Sequence, residues 1–264
     1  MPLDIVFDRV GRGYSVTFNR PEVRNALTPA MLAEFGEFIG VIERDETAGY
    51  LLIKGAGDHF SAGGDITAYA EMLRLEPEER RRAFEDRVRA NIGTICRLYA
   101  LRVPVICLVR GATAGAALSM LLAADFVLAA NDALIVFAQP RIALPLDFGL
   151  TYLLPRVVGT KVARQLAFTA PQITAAEGEG LGILDEVHPP AALDGAVDAL
   201  LKRLEVAAPR AAQRTKSLLL ASETRALEAQ MEAEIKVIGQ CVTEPEFDER
   251  IAAFVAKRRP HSGS

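Results

Sequence analysis

The sequence predicts an α/β protein, a strand-and-helix core followed by an almost wholly helical C-terminal region. Three observations carry that reading. Over the first two thirds of the 264 residues, short apolar runs of strand type alternate with stretches of helical periodicity. Past Gly149 the pattern is helical, punctuated by Pro189-Pro190 and Pro209. Apolar residues make up 50% of the chain and charged ones 24%, the balance of a globular protein with a sizeable core.

Taken in order, residues 3–7 and 14–19 are β-type runs around a Gly11-Arg12-Gly13 turn and predict a hairpin. Thr28 offers an N-cap with Pro29 at the first helical position, and Met31, Leu32, Phe35, Phe38, Ile39 and Ile42 follow at helical spacing. Residues 50–54 form a buried-strand run that ends in Gly55-Ala56-Gly57. Residues 65–73 read as a helix, and 78–101 as one long amphipathic helix with Arg80-Arg81-Arg82 on its solvated face. A second buried strand over 104–109 feeds a glycine-and-alanine turn and a helix over 115–124. Short strands at 126–129 and 134–137 precede helices at about 152–158, 160–168, 174–180, 191–205, 208–220, 222–239 and 246–257. Residues 260–264 are expected to fray.

Composition excludes several classes of function. Thirty Lys and Arg against 34 Asp and Glu give a net charge of −4, the wrong sign for a nucleic-acid partner. Cys96, Cys107 and Cys241 form no C-x-x-C pair, and His59, His188 and His261 are too scattered for a histidine-rich site, so no metal or redox cofactor is expected. Residues 1–10 have no basic region ahead of an apolar stretch, and the apolar run over 112–130 is interrupted by Ser119 and Asp125. No membrane segment is therefore expected, and a cytoplasmic location is.

Two strand–turn–helix junctions draw attention. Ser61-Ala62-Gly63-Gly64-Asp65 joins a buried strand to a helix, and Gly111-Ala112-Thr113-Ala114-Gly115 does the same before Ala116 and Ala117. Glycine lets backbone approach a ligand, and the first N–H groups of a helix lack internal partners, so each junction can hold negative charge. A glycine-rich connector capped by an aspartate for the first junction, and a buried helix with small residues for close packing for the second, are the better explanations of each in isolation.

Arg20-Pro21-Glu22-Val23-Arg24-Asn25-Ala26-Leu27, Phe60-Ser61-Ala62-Gly63-Gly64-Asp65-Ile66, and Gly111–Leu122 with Ala123-Ala124-Asp125 resemble, in order, the crotonase or enoyl-CoA hydratase/isomerase family. The ending Ala253-Phe254-Val255-Ala256-Lys257-Arg258-Arg259-Pro260 is similar to that family's C-terminus. The resemblance implies a spiral of ββα turns over residues 1–195, a helical region over 196–264 that serves trimerisation, and a homotrimer or dimer of trimers. It implies an acyl-CoA thioester as substrate, with CoA part of the substrate and no separate cofactor. By position the oxyanion hole falls on the N–H groups of Gly64 and Ala116, the latter where the family usually has glycine. An alanine N–H serves there provided its φ is negative. Arg24, Ala26, Ala62, Asp65 and Ile66 fall where the family lines CoA, and Lys257 where a C-terminal residue approaches a neighbouring subunit's CoA. A surface salt bridge for Arg24 or Lys257 and core packing for Ile66 are the alternatives.

The hydratase pattern itself fails. The two glutamates that hold water in the family's hydratases correspond to Ser119 and Arg141, neither of which serves as acid and base for hydration. A different carboxylate, Asp147 in Leu146-Asp147-Phe148-Gly149-Leu150, resembles the isomerase branch, which includes phenylacetate-pathway epoxide isomerases. One carboxylate suits a 1,3-proton shift from a 3-enoyl-CoA to a 2-enoyl-CoA, and burial among Leu146, Phe148 and Leu150 would raise its pKa. Asp147 also reads as a cap for a helix starting near Phe148, or as a partner of Arg141, which in turn is a candidate for ordering the acyl group. Hydratase-like or thioester hydrolase activity, and a non-catalytic acyl-CoA-binding protein, are the other readings.

Overall fold

The computed structural model describes residues 3–258, the side chains of Lys257 and Arg258 excepted. Strands β1 (Ile5–Val10) and β2 (Gly13–Phe18) form an antiparallel hairpin in which Ile5 faces Phe18 and Val10 faces Gly13. Helix α1 (Pro29–Arg44) follows as expected: the Thr28 hydroxyl accepts the Met31 N–H at 3.2 Å, and Pro29 occupies the first turn, where its missing donor costs nothing. Next come β3 (Leu51–Gly55), α2 (Ile66–Met72), α3 (Pro77–Arg89), α4 (Ile92–Ala100), β4 (Val105–Val109), β5 (Ala112–Ala114), α5 (Ala117–Ala123), β6 (Phe126–Ala130) and β7 (Leu134–Val136). The chain continues through α6 (Leu150–Val158), α7 (Thr160–Thr169), β8 (Gln172–Thr174), α8 (Ala175–Gly180), β9 (Glu186–His188), α9 (Leu193–Leu204), α10 (Pro209–Ser222), α11 (Leu227–Cys241) and α12 (Pro245–Arg258).

Six strands form one sheet in the order β1-β2-β3-β4-β6-β9, parallel after the first hairpin, and β5-β7-β8 form a second, smaller sheet. β4 is buried along its whole length, as a central parallel strand covered on both faces must be. Phe18 anchors the core edge-to-face against Phe35 and Phe60, with ring centroids 6.1 and 6.0 Å away. Residues Met1–Leu200 form one compact unit, and Leu201–Ser264 a second, built of helices. Among the described residues no helix is long and apolar enough to cross a membrane.

Two sequence expectations need correction. The long helix over 78–101 is two, α3 and α4. Asn91 is buried and turns its side-chain amide back onto the Arg87 carbonyl at 3.0 Å, so a side chain takes a bond that a continuing helix would make with backbone. The helix over 115–124 starts only at Ala117, because Ala112–Ala114 pairs with β7 as a strand instead of turning. Strands β8 and β9 were too short to stand out from the helical pattern around them.

Candidate active site

The loop at residues 61–65 is fastened along both edges. On one side, the Ser61 N–H donates to the Ala112 carbonyl at 3.2 Å and the Ala114 N–H to the Ser61 carbonyl at 3.0 Å. On the other, the Ala62 N–H donates to the Arg24 carbonyl at 2.8 Å, Leu27 N–H to Gly63 at 2.7 Å, and Asp65 N–H to Leu27 at 3.0 Å. Leu27 thus engages the residues before and after Gly64, and strand alternation turns the Gly64 N–H away from Leu27. Gly63 must be glycine: its φ is +84°, and a Cβ would lie 2.5 Å from the Ala114 carbonyl oxygen.

Ala116 has φ −59° and ψ −24°, ordinary right-handed backbone, so an alanine is tolerated there. Neither its N–H nor that of Gly64 donates to any described residue. Both residues line one cavity of about 290 Å³, together with Asp147. A backbone donor without a protein partner is costly unless solvent or ligand satisfies it, so two of them on one cavity mark a place for an oxygen that gathers negative charge.

Asp147 borders this cavity and also an apolar hollow of about 310 Å³ that Phe84, Val88 and Ile92 help to line. Burial pushes its pKa up, opposed by smaller effects from the Gln139 amide, which donates to Oδ1 at 3.2 Å, and from its own backbone. Neither structural role read from the sequence holds. The Arg141 guanidinium bonds the Ala170 carbonyl, at 3.0 Å through Nε and 2.8 Å through Nη2, where it closes the C-terminus of α7. Helix α6 begins at Leu150 behind Gly149, with no side-chain cap; Asp147 contributes only its carbonyl, to the Leu150 N–H at 3.0 Å. Phe148 at φ +56° and Gly149 at φ +88° are both left-handed, an unusual turn that carries the carboxylate into the wall.

Ala26, Ala62, Asp65 and Ile66 line the same cavity; Arg24 and Arg141 do not, and the Lys257 side chain lies outside the described residues. Asp65 is already engaged: it caps α2 through the Thr67 N–H at 3.1 Å and pairs with Arg20 Nη1 at 3.0 Å. Burial works against its ionisation, but the bonds from Arg20 and Thr67 outweigh it and hold the pKa below the ordinary value. Of the carboxylates on the described cavity wall, Asp147 is the one without a cation. Ser119 is fully buried, and its hydroxyl has no hydrogen-bond partner among the described residues.

Sequence reasoning missed three residues here. Asn25 is fully buried and stitches the segment before α1 to the loop after β3, its amide donating to the Ala56 and His59 carbonyls at 2.9 and 2.7 Å. Gln139 holds Asp147, and Tyr69 stands on the cavity wall. Each meets its partners across a turn or loop, which periodicity along the chain does not reveal.

The family model for enoyl-CoA hydratase/isomerase matches residues 14–264. The chain is 32% identical over 266 residues to 1,2-epoxyphenylacetyl-CoA isomerase of Escherichia coli, with 98% of each chain covered. It is 29% identical over 261 residues to short-chain-enoyl-CoA hydratase of Clostridium acetobutylicum, covering 97% of this chain and 96% of the relative. The crystal structure of an enoyl-CoA hydratase from Mycobacterium smegmatis superposes with a TM-score of 0.89 at 27% identity, over 98% of this chain and 99% of that one. The chain belongs to the enoyl-CoA hydratase/isomerase family, and its α/β core with a helical C-terminal region is the crotonase fold.

Proposed function

We propose that this family member is an acyl-CoA isomerase that moves a double bond from C3 to C2 of a 3-enoyl thioester, or carries out the related epoxide-type isomerisation, with Asp147 as its base. One observation carries the reading: a carboxylate without a cation faces the same cavity as two backbone N–H groups without protein partners. Relatives named isomerase and hydratase match about equally well, so the choice rests on the site.

The thioester oxygen sits on the Gly64 and Ala116 N–H groups. Asp147 removes a proton from C2, and the electron pair moves onto the thioester oxygen as an enolate that those two donors stabilise. The enolate collapses to the 2-enoyl thioester as Asp147 returns the proton to C4. The burial that raises the Asp147 pKa narrows its gap to the carbon acid and strengthens it as a base. Phe84, Val88 and Ile92, just beyond Asp147, provide an apolar place for the far end of the acyl group. Ala26, Ala62, Asp65 and Ile66 border the CoA arm in this reading, with Arg24 reaching its polar end, and Arg141 serves to close α7. No metal and no cofactor beyond the substrate's own CoA takes part.

The working form is a homotrimer or a dimer of trimers. Leu227, Met231, Ile235 and Ile238 on α11, with Val242 directly after it, and Phe247, Ile251 and Phe254 on α12, are all at least 40% exposed and recur at helical spacing. Such stripes suit second copies of the chain, and sedimentation should give a trimer or hexamer mass. The three cysteines are free thiols, as expected of a cytoplasmic protein.

Purified protein offered 3-enoyl-CoA and 2-enoyl-CoA should isomerise the first and leave the second unhydrated. Hydration of 2-enoyl-CoA, thioester hydrolysis, or binding without turnover of either would each replace the isomerase reading.

A further inference from the structure

Tyr69 lines the cavity that bears Gly64, Ala116 and Asp147, and the proton shift above gives it no part. It projects from α2 so that its hydroxyl oxygen lies 2.7 Å from where a Cβ on Gly64 would be; glycine leaves that space to the phenol. The ring is held from behind, by Phe84 at 5.2 Å between centroids and by the Arg87 guanidinium 5.0 Å above it. The hydroxyl makes no hydrogen bond to any described residue, although it faces a cavity whose carboxylates, Asp65 and Asp147, are both hydrogen-bonded. A fixed ring with an uncommitted O–H, beside one of two unpartnered backbone donors, has the form of a hydrogen-bond donor to a ligand.

We propose that Tyr69 is a further catalytic residue, whose O–H donates to the thioester oxygen as a third donor beside the Gly64 and Ala116 N–H groups. The proposal rests on the enolate reading above. Tyr69 keeps its proton throughout; the proton from C2 travels on Asp147 to C4. Burial pushes the phenol pKa up, the nearby Asp147 charge adds to this, and Arg87 opposes it, so the group remains a donor at neutral pH.

Tyr69→Phe preserves the ring and its contacts with Phe84 and Arg87, so it tests the hydroxyl alone. Isotope-edited infrared spectroscopy of bound [1-13C]butyryl-CoA reads the thioester carbonyl without turnover. The carbonyl stretch should fall on binding to the native protein, recover part of that shift in Tyr69→Phe, and be unchanged in Asp147→Asn. With 3-enoyl-CoA, kcat in Tyr69→Phe should fall by roughly 10²-fold, the scale of losing one enolate donor, with KM changed less than about threefold. A carbonyl band in Tyr69→Phe identical to the native one, or a raised KM at unchanged kcat, overturns the proposal. If the native protein polarises the carbonyl but isomerises nothing, the isomerase reading fails while Tyr69 is still judged by the band. If the native protein shifts no band, both fail.

Discussion

The two walls of the cavity are built by opposite means. The wall that bears Gly64 and Ala116 is backbone, pinned on both edges by main-chain hydrogen bonds of 2.7–3.2 Å and made possible by the left-handed glycines Gly63 and Gly115. The other wall is side chain: Asp147 beside a left-handed turn, Gln139 at the start of the short turn over 139–142, and Tyr69 on α2, which buries none of its own residues. Backbone donors exist in any sequence that folds this way, so the first wall sets a chemistry common to many acyl groups. Side chains are exchanged by single substitutions, so the second wall decides which proton moves and where. The two aspartates on the cavity repeat the contrast. Asp65 is held ionised by Arg20 and the N-terminus of α2, whereas burial pushes Asp147 toward its neutral form.

Substitutions on each wall should separate these roles. The largest effect belongs to Asp147→Asn: isomerisation should slow by about 10² to 10⁴-fold, the worth of a general base, with CoA affinity retained in calorimetry. The same change should raise the melting temperature at neutral pH. The folded pKa of Asp147 lies above its unfolded value, so its stabilising contribution is complete below the unfolded pKa and is lost as pH rises through the folded one. In the native enzyme kcat/KM should correspondingly climb with pH through an apparent pKa above the ordinary aspartate value of about 3.9.

Gly63→Ala should come next. With φ at +84° and the Ala114 carbonyl 2.5 Å from the new Cβ, the loop must shift and take the Gly64 N–H with it. A displacement on the order of 1 Å costs about 10²-fold in kcat, here with Asp147 untouched. Asp65→Ala should cost about 1 kcal/mol in chemical denaturation through the lost α2 cap and Arg20 pair. Because the folded pKa of Asp65 is depressed, that contribution is present above the unfolded pKa and lost as pH falls through the folded one, so the variant and native protein should converge in acid. Arg141→Ala should be the mildest, with turnover within about twofold and stability lowered by about 0.5–1.5 kcal/mol for the lost bonds to Ala170.

Much of the backbone wall was legible in the sequence because its signals are local. Thr28-Pro29, Gly63-Gly64 and Gly115 state their conformations within a few residues. The side-chain wall was legible only in part. Asp147 was found by resemblance, but the pairing with Arg141 that was its alternative reading is one the structure does not make. The left-handed residue Ala143 lies between them and the left-handed Phe148 directly after Asp147, and nothing about an alanine or a phenylalanine announces such a backbone. Tyr69 and Gln139 face positions five and eight residues away across turns, and the break at Asn91 depends on burial of one amide. Position along the chain gives which residues are available, whereas direction comes from packing.

The central claim is that one carboxylate, Asp147, carries the proton from C2 to C4. It is tested most directly by turning over a 3-enoyl-CoA dideuterated at C2 in ordinary water and locating the label by NMR. The account predicts deuterium at C4 of part of the 2-enoyl product, and no product at a comparable rate from Asp147→Asn. Product with no deuterium at C4, formed equally fast by Asp147→Asn, would contradict it.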